Sequence, residues 1–343
     1  MKRAASAFVE ARPAWRVTLD GADLTARFAP RLISLRLREG TGEEADEVEI
    51  VVDDSDGKFA PPKAGSELTV ELGWERGTEV RVGLVPKGIF VVDELSWSGP
   101  PDQITVTARS ADFKGPIRTR KTRTFKDTTV GALIEQLAAD NDLEPRCHPD
   151  LAGKPVAAAE QHNKPDMELL RDLGRHFDAT ATVKAGALIF APRGSSTSAT
   201  GRPIPAVTVR RDQCSRASWR RAQREKGEGG AEAQWHDQDE GKRKTVQHGT
   251  GNANAPRRRL KRVYASEADA KTAAQSEAAR IKRASASLEL ELAFGDTAIA
   301  PSTPVTVEGF RGHIDGQKWR VASAEHSMDA RGLSTRLTLE IAG

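Results

Sequence analysis

Apolar and polar residues alternate along most of the first 110 residues of the chain. The alternation is clear at Ile33, Leu35 and Leu37. It returns in later stretches, at residues 48–52, 68–72, 80–84, 88–93 and 104–108. A period of two residues is typical of half-buried antiparallel strands, and turn-forming pairs such as Asp56-Gly57 separate one stretch from the next. Short strands at this spacing predict a β-barrel or a β-sandwich.

The spacing of apolar residues becomes helical after Phe125. Apolar residues then recur at i, i+3, i+4 and i+7, which gives an amphipathic helix its buried face, at Val130, Leu133, Ile134 and Leu137. A second helix is predicted after Pro165, and residues 180–190 have the pattern of a β-hairpin. Residues 113–197 are therefore expected to form a small α/β domain that ends in a polar linker.

The last part of the chain begins and ends with predicted strands. Residues 224–260 are polar and charged, and they predict a long loop. An Ala-rich helix is predicted over 266–283, because Ser266 begins a capping-box-like sequence. The whole pattern predicts a mixed, β-dominated α+β fold. Strand-rich domains at 1–112 and 198–343 are joined by the α/β domain at 113–197, and the loop and the Ala-rich helix are inserted in the last domain.

Composition narrows the class of protein only slightly. The chain has 52 basic and 49 acidic residues, a net charge of +3 that favours neither nucleic acid nor a membrane surface. Its two cysteines, Cys147 and Cys214, are far apart and do not form a disulfide framework. The sequence contains no apolar stretch of membrane-spanning length and no secretory signal at its start. Folding in the cytoplasm is therefore expected.

The residues that could carry catalytic chemistry do not form a recognisable constellation. No G-x-S-x-G motif is present, and Ser195 and Ser196 lie in the polar linker, which favours a spacer over a nucleophile. The acidic residues Asp53, Asp54 and Asp56 match a calcium loop only in part, so a turn between strands is the favoured interpretation. The histidines and cysteines lack the close spacing of a zinc site. We expect no catalytic residue, no metal and no cofactor.

Three basic runs leave a choice of partners open. They lie at residues 118–123, 242–244 and 257–262. Aromatic residues make up only 5% of the chain, so few bases could be stacked by a single-strand-binding surface. Direct DNA binding is therefore disfavoured relative to contacts with an acidic protein neighbour or to plain solvated loops.

Several blocks of sequence follow one another along the chain. One is "KAGSELTVELGW", which ends at Trp74. Later blocks are "KGIFVVDELSWSGPPDQITVTARSADF" and "MELLRDLGRHFDATATVKAGALIFAPRG". Taken in order, these blocks resemble the phage late control gene D family, the tail-hub proteins of contractile-tailed phages. Similar blocks occur near both ends, so the resemblance covers almost the whole chain. Residues 224–256 fit the family pattern least well. The hub of type VI secretion spikes is a related protein.

The resemblance implies a structural role for the chain. Such hubs are trimers whose subunits each carry two similar tube-like β-barrel domains, so that three subunits form a pseudo-sixfold ring. The ring joins the tail tube to a central spike and takes part in genome or effector delivery. The expected partners are further copies of the chain, the tube protein, a separate spike protein, other baseplate proteins and the tape measure protein. The expected location is the virion baseplate, after assembly in the host cytoplasm.

Interface residues are expected on two strands and one basic loop. The strands are 68–74 and an edge strand at 288–294, and the loop is 257–262. The side chains concerned are Leu68, Val70, Leu72, Trp74, Arg257, Arg258, Arg259, Lys261, Arg262, Leu288, Leu290, Leu292 and Phe294. Alternative functions are the hub of a tailocin or of a type VI-like device, a baseplate-associated cell-wall hydrolase, and a nucleic-acid-binding regulator.

Overall fold

The structure is a computed structural model, and it describes residues 9–41, 45–110, 116–184, 186–221, 229–250 and 255–342. Strand residues outnumber helical residues in these ranges, so the predicted β-dominated class is confirmed. The first β-rich part, called the first half below, contains β1 (Arg12–Leu19), β2 (Ala22–Asp23), α1 (Thr25–Phe28), β3 (Leu32–Gly40), β4 (Glu47–Asp53), β5 (Glu67–Arg76), β6 (Gly83–Ser98) and β7 (Gln103–Ser110).

The remaining elements fall into a middle unit and a second half. The middle unit contains β8 (Arg120–Thr129), α2 (Val130–Ala139), β9 (Glu144–Cys147), α3 (Pro149–Ala152), β10 (Pro155–Pro165), α4 (Asp166–Phe177), β11 (Ala179–Lys184) and β12 (Ala187–Pro192). The second half contains β13 (Val207–Arg210), β14 (Cys214–Arg221), β15 (Gly230–Asp237), β16 (Lys242–Gly249), β17 (Arg258–Tyr264), α5 (Glu267–Arg283), β18 (Ala286–Leu292), β19 (Pro304–Glu308), α6 (Gly312–Asp315), β20 (Trp319–Asp329) and β21 (Gly332–Ile341).

Alternating side chains build the core of the first half. Leu68, Val70 and Leu72 on β5 point into it, and their polar neighbours lie on the other face. The strand predicted at residues 80–84 is wrong at its start, because β6 begins only at Gly83. Strand β6 then runs without interruption through residues 88–93, where the sequence predicted a separate strand. The bulge opposite Thr69 and Glu71 bends β6 while the pairing with β5 continues.

The middle unit contains the predicted helices and hairpin. Helix α2 begins after Thr129, whose side-chain oxygen accepts a hydrogen bond from the Ala132 backbone. Helix α4 ends at Phe177, and the next residue, Asp178, adopts the left-handed conformation that commonly closes a helix. The hairpin β11–β12 follows at once, and β9 pairs with β12 in parallel. Apolar side chains of both helices and the hairpin form one core.

The two β-rich halves share one sheet. Strand β3 of the first half pairs antiparallel with β20 of the second half, from Met328 opposite Leu35 to Ser323 opposite Gly40. In the described residues the strand order runs β14-β18-β21-β20-β3-β4-β7-β6-β5-β1-β2, with β19 and β13 attached beside β20. This order is open at both ends, so the expected pair of closed barrels is not confirmed. The predicted boundary at residues 112 and 113 lies outside the described residues.

The predicted loop at 224–260 is wrong over much of its length. Strands β15, β16 and β17 form a separate sheet there, although residues 222–228 and 251–254 lie outside the described residues. Ala231 and Ala233 of β15 are fully buried. Ala233 packs against Ala270 and Ala274 of α5. The larger apolar residues on this face, such as Trp235, are only partly buried and stand among polar residues, so the sequence shows no clear alternation there.

Helix α5 agrees with the helix predicted at 266–283. Ser266 caps it by accepting a hydrogen bond from the Asp269 backbone. The helix also contacts α4, because Ser276 Oγ donates a hydrogen bond of 2.7 Å to the carbonyl of His176. At the end of α5, the Arg283 guanidinium makes a bidentate ion pair with Asp178. The small sheet and α5 are therefore fixed to the middle unit.

Candidate functional site at the junction of the two halves

A carboxylate lies in the apolar row where the two halves meet. Leu35, Leu37 and Glu39 alternate on the buried face of β3, and all three are almost fully buried. Ile33, which the sequence places in the same row, lies at a bulge and is exposed. Glu39 therefore takes a core position, and burying a charge there requires a partner.

Lys87 and His326 supply that partner. Lys87 Nζ, from β6, donates a hydrogen bond of 2.6 Å to Glu39 Oε2, and the two side chains are 3% and 4% exposed. The same ammonium group lies 3.1 Å from His326 Nε2 of β20. His326 Nε2 also lies 3.3 Å from Glu39 Oε2, and the other ring nitrogen, Nδ1, lies 2.8 Å from Thr335 Oγ1.

The pKa values of the three groups follow from this arrangement. Burial alone would raise the pKa of Glu39, but contacts with His326 and the charge of Lys87 outweigh it and lower the pKa to about 2. Burial lowers the pKa of His326, and the adjacent Lys87 charge adds to the effect. Burial also lowers the pKa of Lys87, while Glu39 opposes that shift. At neutral pH the triad therefore contains one anion, one cation and one neutral imidazole.

The middle unit reaches the same junction. Lys184 Nζ, at the end of β11, lies 3.7 Å from Glu39 Oε1 and 3.4 Å from Asp46 Oδ2. Asp46 in turn accepts a hydrogen bond of 3.0 Å from the Gly40 backbone. Burial raises the pKa of Asp46, and the Lys184 charge opposes that shift. One polar cluster therefore contacts the first half, the middle unit and the second half.

A second contact between the halves surrounds Trp74. Trp74 Nε1 donates a hydrogen bond of 2.8 Å to the carbonyl of Gly295, and Thr297 Oγ1 donates one of 3.0 Å to the carbonyl of Leu72. The Phe294 ring meets the Trp74 ring edge to face, with centroids 6.0 Å apart. Beside these rings lies a cleft of about 800 Å³ between the halves.

The structure places most of the predicted interface side chains inside the chain. Leu68, Val70, Leu72 and Trp74 are buried in the core of the first half, and β5 lies between β1 and β6. Leu288, Leu290 and Leu292 are buried in the core of the second half. The prediction that 288–294 is an edge strand is wrong, because β18 pairs with both β14 and β21. Phe294, which follows β18, is 42% exposed.

The basic run at 257–262 does lie at the surface. Arg257, Arg258, Arg259, Lys261 and Arg262 are all exposed, in or beside β17. Arg258 pairs with Glu277 at 2.9 Å and Arg259 with Glu232 at 2.6 Å. The Arg262 guanidinium lies 5.4 Å from the centroid of the Tyr264 ring.

The other residues considered from sequence have structural partners. Asp56 makes a bidentate ion pair with Arg31, and Asp54 accepts a hydrogen bond from the Phe59 backbone, as in a turn. His148 is buried and accepts a hydrogen bond from the Asp150 backbone at the start of α3. Burial raises the pKa of Cys147 to about 11, so its thiol is protonated at neutral pH. Among the described residues no group of three or more His, Cys, Asp or Glu could hold a metal ion.

Sequence reasoning missed the buried triad. Glu39 is in phase with Leu35 and Leu37, and His326 is in phase with the buried Ala324 and Met328. That phase was the available signal, but a charged residue at the end of an alternating run is more often solvated.

Comparison of the sequence with known proteins shows which family the chain belongs to. The family model described as phage tail baseplate hub (GPD) matches residues 46–332. The chain belongs to this family. A probable baseplate hub protein of Escherichia phage 186 is 34% identical over 367 residues, which cover 96% of this chain and 93% of the relative. The resemblance inferred from the sequence blocks is therefore confirmed, and the chain is a structural hub component of a phage tail baseplate.

Solved structures share the fold at low identity. The 43 kDa tail protein of prophage MuSo2 from Shewanella oneidensis superposes with a TM-score of 0.68 at 16% identity, over 95% of this chain and 98% of that chain. The E. coli protein c3393, described as a type VI secretion component, gives a TM-score of 0.53 at 12% identity, over 97% of this chain and 77% of that chain. In the described part of this hub chain, no helix has the length and apolar character needed to cross a membrane.

Proposed function

We propose that the hub chain assembles as a homotrimer whose six β-rich halves form a pseudo-sixfold ring between the tail tube and a central spike. The observation that carries this proposal is the shared sheet. Because β3 and β20 pair directly and the buried triad closes the junction, the two halves of one subunit form one rigid unit. Three such units supply six similar segments, which suits the step from a sixfold tube to a threefold spike.

The proposed ring uses residues 1–112 and 198–343 as its tube-like domains and 113–197 as the α/β domain outside the tube. The barrels would close by strand contacts between neighbouring subunits, since the sheet in the described part of one chain is open at both ends. The E. coli protein c3393 is described as similar to the T4 tail proteins gp27 and gp5, and this supports a hub-and-spike arrangement. The proposed partners are the tube protein, the spike, the tape measure protein and other baseplate proteins.

The role we propose is mechanical, with assembly in the host cytoplasm. The hub holds the spike at the end of the tube and becomes part of the channel when the tail contracts. A cell-wall hydrolase is the enzymatic alternative, and a peptidoglycan zymogram separates the two. Clear lysis by the purified chain would contradict the mechanical role.

The absolute mass of the purified chain tests the ring. Light scattering on a sizing column should give about three times the 37.1 kDa of one subunit for the chain alone, or that mass plus the mass of the bound spike protein for the complex. Electron microscopy of that fraction should then show rings. A chain that remains monomeric in the presence of its spike protein would contradict the proposal.

A further inference from the structure

In the described part of the chain, the sheet of β15, β16 and β17 has one face covered by α5 and a second face, called the open face below, whose side chains are exposed or half-buried. On the open face, Glu232 accepts hydrogen bonds from Arg259 Nε at 2.6 Å and from Gln247 Nε2 at 3.3 Å. Arg243 and Val263 lie on the same face, because each pairs with a β15 residue that is in phase with Glu232. Within the three described strands, the open face therefore presents cations around Glu232, a carboxylate that is already paired.

Several exposed cations lie at this sheet. Among the described residues, no carboxylate lies within 4.0 Å of the side chains of Lys242, Arg243, Arg257, Lys261 and Arg262. Arg243 lies on the open face, and the other four lie at a strand end or along the outer strand, where Arg262 contacts the Tyr264 ring. We call these five residues the basic platform. The near-neutral charge of the whole chain conceals this local excess of positive charge.

The basic platform is fixed in place. Its sheet packs through Ala233 onto α5, and α5 is joined to the middle unit through the Arg283–Asp178 ion pair and the Ser276 hydrogen bond. A rigid surface loses little conformational entropy when it binds a partner. Strand β17 also lies at one end of its sheet in the described residues, so one backbone edge is without a neighbouring strand.

We propose that the basic platform binds an acidic polypeptide segment of another baseplate protein. Positive charge beside a free strand edge discourages pairing with an arbitrary strand but favours one that carries carboxylates. Val263, which is 38% exposed, adds an apolar contact at the centre of the open face. The inference rests on the proposed function, because it takes the partner from the baseplate.

Nucleic acid fits this surface less well. Trp235 and Tyr264 pack with the core beneath α5, so they are not available to stack on bases. The Glu232 carboxylate also lies on the open face, where it would repel a phosphate backbone.

Charge reversal tests the platform in the full-length chain. The variant R257E/K261E/R262E is compared with the control K63E/R202E/K318E, which makes the same change in net charge at exposed residues elsewhere. The probes are fluorescently labelled poly-L-glutamate and a duplex DNA of similar charge, in about 50 mM salt, where screening is weak. The platform variant should bind poly-L-glutamate at least ~10-fold more weakly than the wild type, and the control should stay within about 3-fold.

Each other outcome overturns the proposal. An equal loss of poly-L-glutamate binding in the platform variant and the control variant would mean that net charge alone drives binding. Tighter binding of DNA than of poly-L-glutamate, with loss in the platform variant, would assign the surface to nucleic acid. Absence of binding by the wild type would also contradict it. Circular dichroism and light scattering on each variant separate these results from misfolding and from failure of the ring, because the platform variant should keep the wild-type mass.

Discussion

At the scale of single residues, Lys87 places an ammonium group where an apolar side chain would ordinarily lie. Its partners are Glu39 and the Nε2 atom of His326. A buried ion pair adds little net stability compared with apolar residues of similar size, but either charge left alone in the core is costly. We therefore expect the triad to select the pairing of β3 with β20 more than to raise the free energy of unfolding.

Replacement of one partner should destabilise the chain strongly. Lys87→Met leaves the Glu39 carboxylate without its buried counter-ion, so the free energy of unfolding should fall by about 3–5 kcal/mol. The double variant E39Q/K87M should recover a large part of this loss, because no buried charge remains. Chemical denaturation of the single and double variants measures the coupling, and Lys63→Met at an exposed site is the control. If the losses of stability from the two single substitutions simply add in the double variant, Glu39 and Lys87 do not act as a pair.

The triad should also make stability depend on pH. Burial lowers the pKa of His326 in the folded chain, so the unfolded chain binds more protons just below the ordinary histidine value near 6.5. Stability is fully present above that pH and is lost as the pH falls through this range. The pKa of Glu39, lowered to about 2 from 4.5, extends the loss below pH 4.5.

Thermal unfolding between about pH 7 and pH 5 measures the histidine contribution. The midpoint should fall on acidification in the wild type and should fall less in His326→Gln. His162→Gln, at an exposed site, should keep the wild-type slope. If the unfolding midpoint of His326→Gln falls with pH as steeply as that of the wild type, the triad is not the cause of the pH dependence.

At the scale of elements, neighbouring strands and helices can approach closely only where the side chains between them are small or absent. A Cβ atom added at Gly73 of β5 would lie 1.9 Å from the backbone oxygen of Gly83 on β6. The bend of β6 toward Trp74 and the cleft therefore requires glycine at residue 73. The alanines between β15 and α5 act in the same way, because they let the helix lie close to the sheet.

Gly73→Ala should force β5 and β6 apart. Overpacking of this kind usually costs about 1–3 kcal/mol, and backbone atoms cannot rotate out of the way as a side chain can. Gly40→Ala on β3 is the matched control, because nothing lies within 4 Å of its added Cβ. Chemical denaturation should show a loss for Gly73→Ala and little change for Gly40→Ala. Equal stability of the two variants would show that β6 shifts freely.

At the scale of the whole molecule, a row of alternating charges crosses the junction of the halves. Each residue of the row is directly opposite the next in the strand pairing, and opposite charges at such positions attract. The row is Arg216, Glu291, Arg336, Glu325, Arg38, Glu47 and Arg109. It lies on the face opposite the buried triad, so both faces of the sheet favour one register across the junction.

The two halves should therefore unfold together, as one cooperative unit. Hydrogen exchange should give the amides of β3 and β20 the same high free energy of opening as the core strands β4 and β21, because all four lie inside one sheet. The short strand β13, which pairs only with β19 among the described strands, should exchange earlier and serves as the internal reference. Faster exchange in β3 and β20 than in β4 and β21 would show that the halves separate independently.

The sequence by itself determined the elements that depend on local pattern. Alternation predicted strands in both halves, the helical spacing predicted α2 and α4, and Ser266 marked the start of α5. These signals are local, because each strand or helix shows its own buried face in its own sequence. The ordered blocks of resemblance predicted the hub family for the same reason.

Only the tertiary structure decided which residues meet. Glu39, Lys87 and His326 come from three distant strands, and no local pattern connects them. The inner position of β18 and the strands within the predicted loop depend likewise on neighbours far along the chain. Burial of a charge or of a small alanine face becomes favourable only when a partner from elsewhere covers it, and that partner exists only after the chain has folded.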